Sequence, residues 1–507
     1  MTIDVGLRLA TDEAINRKTQ TARWLAVAVV LVAAVVLRQM LPFNVDVSWW
    51  LIVGERMLDG QRLYVDILET NPPMAGSVYL LSVALARLVH VRPEVMTDGV
   101  ILAMIAGSLA LTCHILRDSA VRGRAAGSLV VWAALLLGIL PMYDFGQREH
   151  LALIAMLPAI GVYLLRGSRE PVTPMAILIA GVSAAITMTF KPYFACAVGF
   201  CILTAAAQAR DWRVLFALEN WIAAAIVVIY GISIFVFYPE YFTTIYPLVR
   251  DVYLLLKAPI LALCVTSATA IWVGGTVLVL ALQNQQRKLD ASAFMTLAAS
   301  FGFAVSFFIQ RKGWGYHAYP MVALALMAAG CAIAAIDPDR AKSMRLRVVA
   351  GFVVAAMFAK ACLWFDASVD VHKIEDRVAQ LGAHPKILML SAAAVIGHPM
   401  VRTLDGTWVS RQEAFWVREI VRRATLEQSI DAKTAARLQV YVARERAGLI
   451  EDFRKQRPDV VLIDNRDSDW GRWAHDDPEV SALLKSYTPV ETVDGVDILK
   501  RADADHS

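Results

Sequence analysis

The chain is poor in the signatures of soluble catalysis and of covalent cross-linking. Its six cysteines (Cys113, Cys196, Cys201, Cys264, Cys331, Cys362) lie in or beside apolar runs with no CxxC pair. They read as small core residues rather than disulfides or metal ligands. No Gly-rich phosphate loop, zinc spacing or nucleophile elbow is present. A net charge of +4, with the basic residues mostly in loops, is too slight for a nucleic-acid surface. No acid sits in the middle of an apolar run, where a transporter would place charges within broken helices. There is no internal repeat, no long low-complexity segment, and no small-residue cleavage site behind residues 24–41, which therefore read as an uncleaved helix.

Apolar length is what the chain has in excess. Hydrophobic residues make up 58% of the 507, and the mean hydropathy is +0.53, well above a soluble enzyme. Apolar runs of about 15 to 25 residues, the length that crosses about 30 Å of hydrocarbon, recur from Trp24 to Phe365 and then stop. They predict spans at 24–41, 74–91, 95–116, 128–142, 150–166, 174–190, 193–209, 219–238, 258–282, 292–309, 318–336 and 348–365. The expected architecture is an all-α polytopic membrane domain over residues 1–365, of about 11–13 transmembrane helices, followed by a small α/β domain over 366–507.

Loop charges orient the spans. Arg17, Lys18 and Arg23 place the N-terminus in the cytoplasm. Arg340, Lys342, Arg345 and Arg347 send the last span and the tail outward, with Arg287, Lys288, Arg210, Arg213, Arg166 and Arg169 inside. Twelve full spans would return the tail to the cytoplasm, so one segment between Met74 and Met142 is expected to be re-entrant or half-spanning, and 128–142 is the shortest; a missed crossing is the alternative. The tail predicts strands at 386–390 and 460–463, helices at 411–423 and 432–456, and a hairpin of 490–493 with 496–499 around Asp494-Gly495.

The first polar stretch, Asn44 to Pro73, organises the rest. Asp46 emerges behind the first apolar helix, and an acid so close to a membrane exit is costly unless it acts. Trp49, Trp50, Leu51, Val53 and Leu58 alternate with Glu55, Arg56 and Asp59, a pattern for an amphipathic helix with tryptophans at headgroup depth. Asp46 also suits a cap for that helix. Tyr64, Asp66 and Glu69 follow, the two acids also readable as solvated loop residues, and Asn71-Pro72-Pro73 ends the loop and starts the next helix.

Three further outward patches carry chemistry. Arg148-Glu149-His150 opens an apolar helix with three ionisable side chains in a row. Arg fits phosphate bidentately, while Glu and His could orient an acceptor hydroxyl or hold a metal; the plainer reading is Arg148 at the interface with Glu149 as partner. Lys191 breaks an apolar stretch before Pro192, as a phosphate ligand or as an interface anchor. Arg311, Lys312, Trp314, Tyr316 and His317, spaced by two glycines, suit an anionic headgroup. One acid and several cations on one membrane face suit transfer of a group from a lipid phosphate to a hydroxyl or amine acceptor.

Asp46 after the first span, the Gly60/Tyr64 segment, Asn71-Pro72-Pro73 and the Gly-Gln-Arg-Glu-His block resemble the protein mannosyltransferase and aminoarabinose transferase group of the GT-C superfamily. The motifs cover about the first 200 residues, and the remainder fits by architecture. The resemblance implies an inverting glycosyltransferase of the bacterial inner membrane, with its active site and C-terminal domain periplasmic. It implies a polyprenyl-phosphate sugar donor, Asp46 as general base, Arg148 and Glu149 in the second-loop site, and Lys191 and Arg311 at the carrier phosphate. Lys312 and His317 join the phosphate set, His150 joins the catalytic set, and Tyr64, Asp66, Glu69, Trp314 and Tyr316 form the acceptor side. Arg-Glu-His replaces the acidic residues usual in the second loop, which leaves open both a divalent cation (Mg or Mn) and the acceptor, whether glycan, lipid or protein. Besides membrane lipids no further partner is implied. Two alternatives stay open: a flippase or transporter of polyprenyl-linked glycans, and an O-antigen-ligase-like transferase with a diphosphate donor.

Overall fold

Long apolar helices dominate the computed structural model, which describes residues 2–119, 126–286, 290–337 and 341–502, without side chains for 2–19, 126–127 and 341–342. Arg287, Lys288 and Arg340 lie outside the described residues, as do the side chains of Arg17, Lys18 and Lys342. Among the described residues nine helices, from Gln20–Met40 to Ser343–Phe365, are long and apolar enough to cross a membrane. Three shorter apolar helices, Met74–Val89, Ser128–Gly138 and Pro174–Phe190, occupy the other expected positions. The chain folds into two compact units. The first comprises Met1–Pro42, Thr97–Gly231 and Ala258–Ala367; the second comprises Phe43–Met96, Ile232–Lys257 and Ser368–Ser507.

In the first unit helix Arg148–Gly167 and helix Tyr319–Ala334 are almost wholly buried, whereas Gln20–Met40 and Trp212–Phe237 are largely exposed. Lipid is as apolar as leucine, so such helices associate through close packing at small residues. Gly302 lies against the backbone of Ala197, and Gly330 lies under the indole of Trp132, whose Nε1 donates to Leu326 O at 3.0 Å. The span expected at 258–282 is broken into Ile260–Cys264 and Ser267–Gln286. The break falls at Thr266, whose hydroxyl accepts the Thr269 amide at 3.2 Å and so offers the backbone an alternative to the helix.

The second unit contains a five-stranded sheet: β1 (Lys386–Leu390), β2 (Thr407–Trp408), β3 (Val460–Asp464), β4 (Tyr487–Val493) and β5 (Val496–Arg501), in the order β2-β1-β3-β5-β4. β1 runs parallel to β2 and β3, and β5 is antiparallel to β3 and β4. β3 is buried throughout and β1 from its second residue on, which is why both read as unbroken apolar runs. Asp494 and Gly495, at φ +48° and +82°, make the hairpin turn in the left-handed conformations their residue types favour. Helix Ala432–Gln456 falls at its expected bounds, but 411–423 is helical only from Trp416, in helix Trp416–Leu426. Arg411 is held instead by Asp452, which accepts its amide at 2.8 Å and its guanidinium at 2.7 Å.

Glu445 caps that later helix from the side: its buried carboxylate accepts the Val417 and Arg418 amides, each at 2.9 Å. Burial pushes its pKa from 4.5 up to about 7, although both amides favour the ionised form. With the folded value above the unfolded one, Glu445 favours the fold fully below about pH 4.5, and the contribution is lost as pH rises through about 7. Glu445→Gln should therefore flatten part of the fall in melting temperature between about pH 5 and 8. Parallel pH traces for both proteins would remove this account.

The first loop belongs to the same unit as the C-terminal domain. Ser48 Oγ donates to His398 O at 2.5 Å, Arg56 donates to Trp408 O and Ser410 O, and Leu68 N donates to Arg411 O at 2.8 Å. Arg402 pairs with Glu55 at 2.9 Å and Glu94 at 2.5 Å, while Arg92 donates to Arg402 O at 3.0 Å. Trp49 and Trp50 are thus buried in protein rather than at headgroup depth. Trp49 donates to Glu69 and meets the His398 ring edge-on; Trp50 stacks on Tyr79 over Gly76.

Helix Met74–Val89 starts just beyond the Leu68–Arg411 bond and is followed by Arg92 and Glu94, which contact Arg402. Arg87, in its last turn, closes back on Asp59 at 2.9 Å. This helix is about 24 Å long. Of the expected segments between Met74 and Met142, Met74–Val89 and Ser128–Gly138 both fall among the shorter apolar helices, while Pro93–Ile115 is long enough to cross.

Candidate active site

In the first unit a turn, two helix ends and a short irregular connection converge on one carboxylate. Gly146, at φ +85°, completes the turn ahead of Arg148, and Glu149 follows in the first helical turn, where unpaired amides favour an acid. Lys191 is extended, at φ −150°, because Pro192 disfavours helix in the residue before it. Helix Ala291–Gln310 ends in Arg311 at φ +51°, and the short helical turn Gly315–Ala318 carries His317 inward.

Lys191 Nζ donates to Glu149 Oε1 at 2.5 Å, to Gln310 Oε1 at 3.4 Å and to His317 Nε2 at 3.0 Å. His317 Nε2 lies 3.4 Å from Glu149 Oε1, and the Lys191 ammonium sits 5.6 Å from the centre of the Tyr316 ring. Glu149 is fully buried, and Lys191 is 9% exposed. With Nε2 accepting from lysine, the ring proton of His317 is assigned to Nδ1. Among the described residues that Nδ1 and the second Glu149 oxygen, Oε2, are buried without a hydrogen-bond partner. A buried donor and a buried acceptor, both unmatched beside an ion pair, are what a polar ligand would complete.

Of the residues singled out in the sequence, Glu149, Lys191, His317 and Tyr316 come together. Arg148 is buried, and Arg148 and Lys312 are close enough for their charges to act on His317. The plainer reading of Glu149 as the partner of an interface Arg148 gives way to its pairing with Lys191. Arg311 stands apart: its Nε donates to Ala258 O at 3.1 Å and its carbonyl accepts from Ala258 N at 2.6 Å, so it braces the loop. Trp314, 36% exposed, stacks on Tyr316. His150 requires correction. Its Nδ1 accepts the Gly146 amide at 3.1 Å and its Nε2 meets Leu137 O at 2.8 Å, with the ring between Phe145 and Tyr319. Both nitrogens are taken by backbone, so it holds the turn and has none to give to catalysis or a metal.

Gln310 and Trp364 were not expected. Gln310 lies inside an apolar helix end, a signal the sequence carries. Trp364, whose buried Nε1 has no partner among the described residues and lies near Gly315, has no such signal.

In the second unit the cap of helix Val45–Leu58 is Asn44, whose side chain accepts the Val47 amide at 3.3 Å, rather than Asp46. Asp46 stands half-buried in the first turn. Glu69 is not a solvated acid: at 4% exposure it accepts from Trp49 Nε1 at 2.6 Å and from the amide and side chain of Asn71 at 2.8 and 2.6 Å. Asp66 is exposed and accepts the Arg62 amide. Tyr64, at φ +69°, is buried; its hydroxyl donates to Asn71 O at 2.6 Å and its ring meets Tyr238 and Tyr241. Tyr64 and Leu68 also wall a cavity of about 460 Å³ with Glu240, Arg411, Arg444 and Glu445.

Among the described residues no three His, Cys, Asp or Glu side chains are grouped to hold a metal ion.

No family model and no curated protein matches the chain. Among solved structures it is similar to ArnT from Cupriavidus metallidurans bound to undecaprenyl phosphate, at 13% identity and a TM-score of 0.57, over 95% of this chain and 98% of that one. The apo state of the same protein gives 0.55 over the same shares. An archaeal oligosaccharyltransferase, AglB from Archaeoglobus fulgidus in complex with an inhibitory peptide and a dolichol-phosphate, reaches 0.45 at 11% identity, over 96% of this chain and 75% of that one. The chain thus shares the fold of that ArnT structure, a multi-helix membrane body with a small C-terminal sheet.

Proposed function

We propose that this chain is an inverting glycosyltransferase that moves a sugar from a polyprenyl-phosphate donor to a hydroxyl or amine acceptor. The observation that carries the reading is the buried Glu149–Lys191–His317 cluster, with its unmatched carboxylate oxygen and imidazole nitrogen. A likeness of fold to a protein whose structure holds undecaprenyl phosphate supports the same donor class. With His317 neutral, Arg148, Lys191 and Glu149 sum to one positive charge, which suits a phosphate more than a neutral ligand.

In this reading Asp46 takes the proton of the acceptor, whose oxygen or nitrogen forms the new bond to the anomeric carbon. The bond from that carbon to the phosphate oxygen breaks, and polyprenyl phosphate leaves with the electron pair. Arg148 and Lys191 stabilise the charge that gathers on the departing phosphate, and His317 Nδ1–H is a further donor for it. Glu149 keeps Lys191 charged and aimed rather than acting on substrate. Lys312 is assigned to the same phosphate, and Asp66, Trp314 and Tyr316 to the acceptor side. No step is routed through a metal. The location that goes with this reading is the bacterial inner membrane, with the chemistry on the periplasmic face.

The test is transfer by the purified full chain from a panel of radiolabelled polyprenyl-phosphate sugars to lipid, glycan and peptide acceptors. Transfer with inverted anomeric configuration and stoichiometric release of polyprenyl phosphate is expected. No transfer, together with passage of lipid-linked glycan across proteoliposomes, would replace this reading by the transporter.

A further inference from the structure

The first unit has a second polar recess, at the opposite end of its helices from Lys191. It is walled by Gln20, Arg23 and Trp24 near the start of the first apolar helix, and by His114 and Arg117 at and just past the end of helix Pro93–Ile115, and has a volume of about 220 Å³. Cys113 and Val130 line this recess and also line an apolar crevice of about 140 Å³. That crevice runs between Leu109, Leu116, Leu129, Ile160, Leu324 and Met327. On helix Arg148–Gly167, Ile160 lies twelve residues past Arg148, about 18 Å along the axis. Thr296, another wall of the crevice, lies about 21 Å from Gln310 on its own helix. The two sites are therefore distinct.

The chemistry is that of a head and a tail. Two guanidiniums and an imidazole face the recess, with a tryptophan of the kind that settles at headgroup depth. The adjoining crevice is lined almost wholly by carbon, which a free inorganic anion would leave unfilled. Arg117 also meets Asp118 at 2.9 Å, an exposed pair of the sort that holds weakly and that a phosphate can displace.

We propose that recess and crevice together bind one anionic phospholipid, its phosphate against Arg23 and Arg117 and one acyl chain along Cys113 into the crevice. This lipid is neither donor nor acceptor, and the proposal stands independently of the transferase reading.

Cys113 gives a local readout, because it lines both halves of the site, while the exposed Cys264 serves as an internal reference. The full chain in detergent would be labelled with N-ethylmaleimide in the presence of phosphatidylglycerol or phosphatidylcholine, and each cysteine quantified by peptide mass spectrometry. Phosphatidylglycerol should slow labelling of Cys113 by about fivefold or more relative to phosphatidylcholine, a preference of about 1 kcal/mol, and leave Cys264 unchanged. Arg23→Gln with Arg117→Gln should abolish the preference. Should that variant not fold, Arg23→Lys with Arg117→Lys, which keeps the charge and loses the planar fork, should reduce it. Equal protection by both lipids, protection by neither, or a preference that survives the glutamine pair would overturn the proposal.

Discussion

Asp46→Asn is expected to lower sugar transfer by about 10²- to 10⁴-fold, the usual worth of a positioned general base, while donor binding stays at its wild-type value. The structure makes this a clean test because helix Val45–Leu58 is capped by Asn44, so the carboxylate of Asp46 can be neutralised without removing the cap. Asn44→Ala is the opposite control. It should cost about 0.5–2 kcal/mol of stability as a lost cap and leave the chemical step nearly unchanged. If Asp46→Asn turns over normally, the base assignment is gone. If Asn44→Ala matches it in lost turnover, helix placement rather than proton transfer is what the first loop supplies.

The second large effect concerns Lys191. Lys191→Met leaves Glu149 buried with its partner gone, a change that typically costs about 3–5 kcal/mol, so the melting temperature should fall sharply. Adding Glu149→Gln removes the stranded charge and should recover much of that stability. Donor binding separates the two roles. If Lys191 serves the carrier phosphate, the double variant folds but binds polyprenyl-phosphate sugar at least about tenfold more weakly, a loss of about 1.4 kcal/mol. A double variant with wild-type affinity would reduce the pair to a structural bridge.

How far each feature was legible follows from how local its cause is. β1 and β3 are buried central strands whose apolar runs announce themselves, and helix Ala432–Gln456 carries its start signal in Asp431, which caps it. The stretch at 411–415 misled because what straightens it is Asp452, some forty residues on. Trp49 and Trp50 looked interfacial for a related reason: the ring covering Trp49 is His398, and no window around residue 49 contains it. In the candidate site, Glu149, Lys191 and His317 were each conspicuous as polar residues at the ends of apolar runs. Their convergence on one carboxylate oxygen depends on helix packing over 42 and 126 residues of separation and could not be read from any one patch. His150 looked as conspicuous as its neighbour, and only its two backbone partners distinguish a structural imidazole from a working one.

The bonds that join the first loop to the last domain also impose a schedule. Ser48 waits for a partner 350 residues downstream, and Glu55 for one 347 downstream. At a synthesis rate of about 5–20 residues per second, that interval is roughly 18 to 70 s. Through that time the loop carrying Asp46 has its own short-range bonds, such as those among Tyr64, Ile67, Glu69 and Asn71, and its contacts with earlier segments, such as Trp50 on Tyr79 and Tyr64 against Tyr238, but none of its bonds to the last domain. A chain interrupted between Phe365 and Arg402 would hold every helix of the membrane body and still lack the partner that clamps Glu55 and Glu94. Competence in this protein would then arrive with its last quarter, and a truncated product would be inserted yet silent.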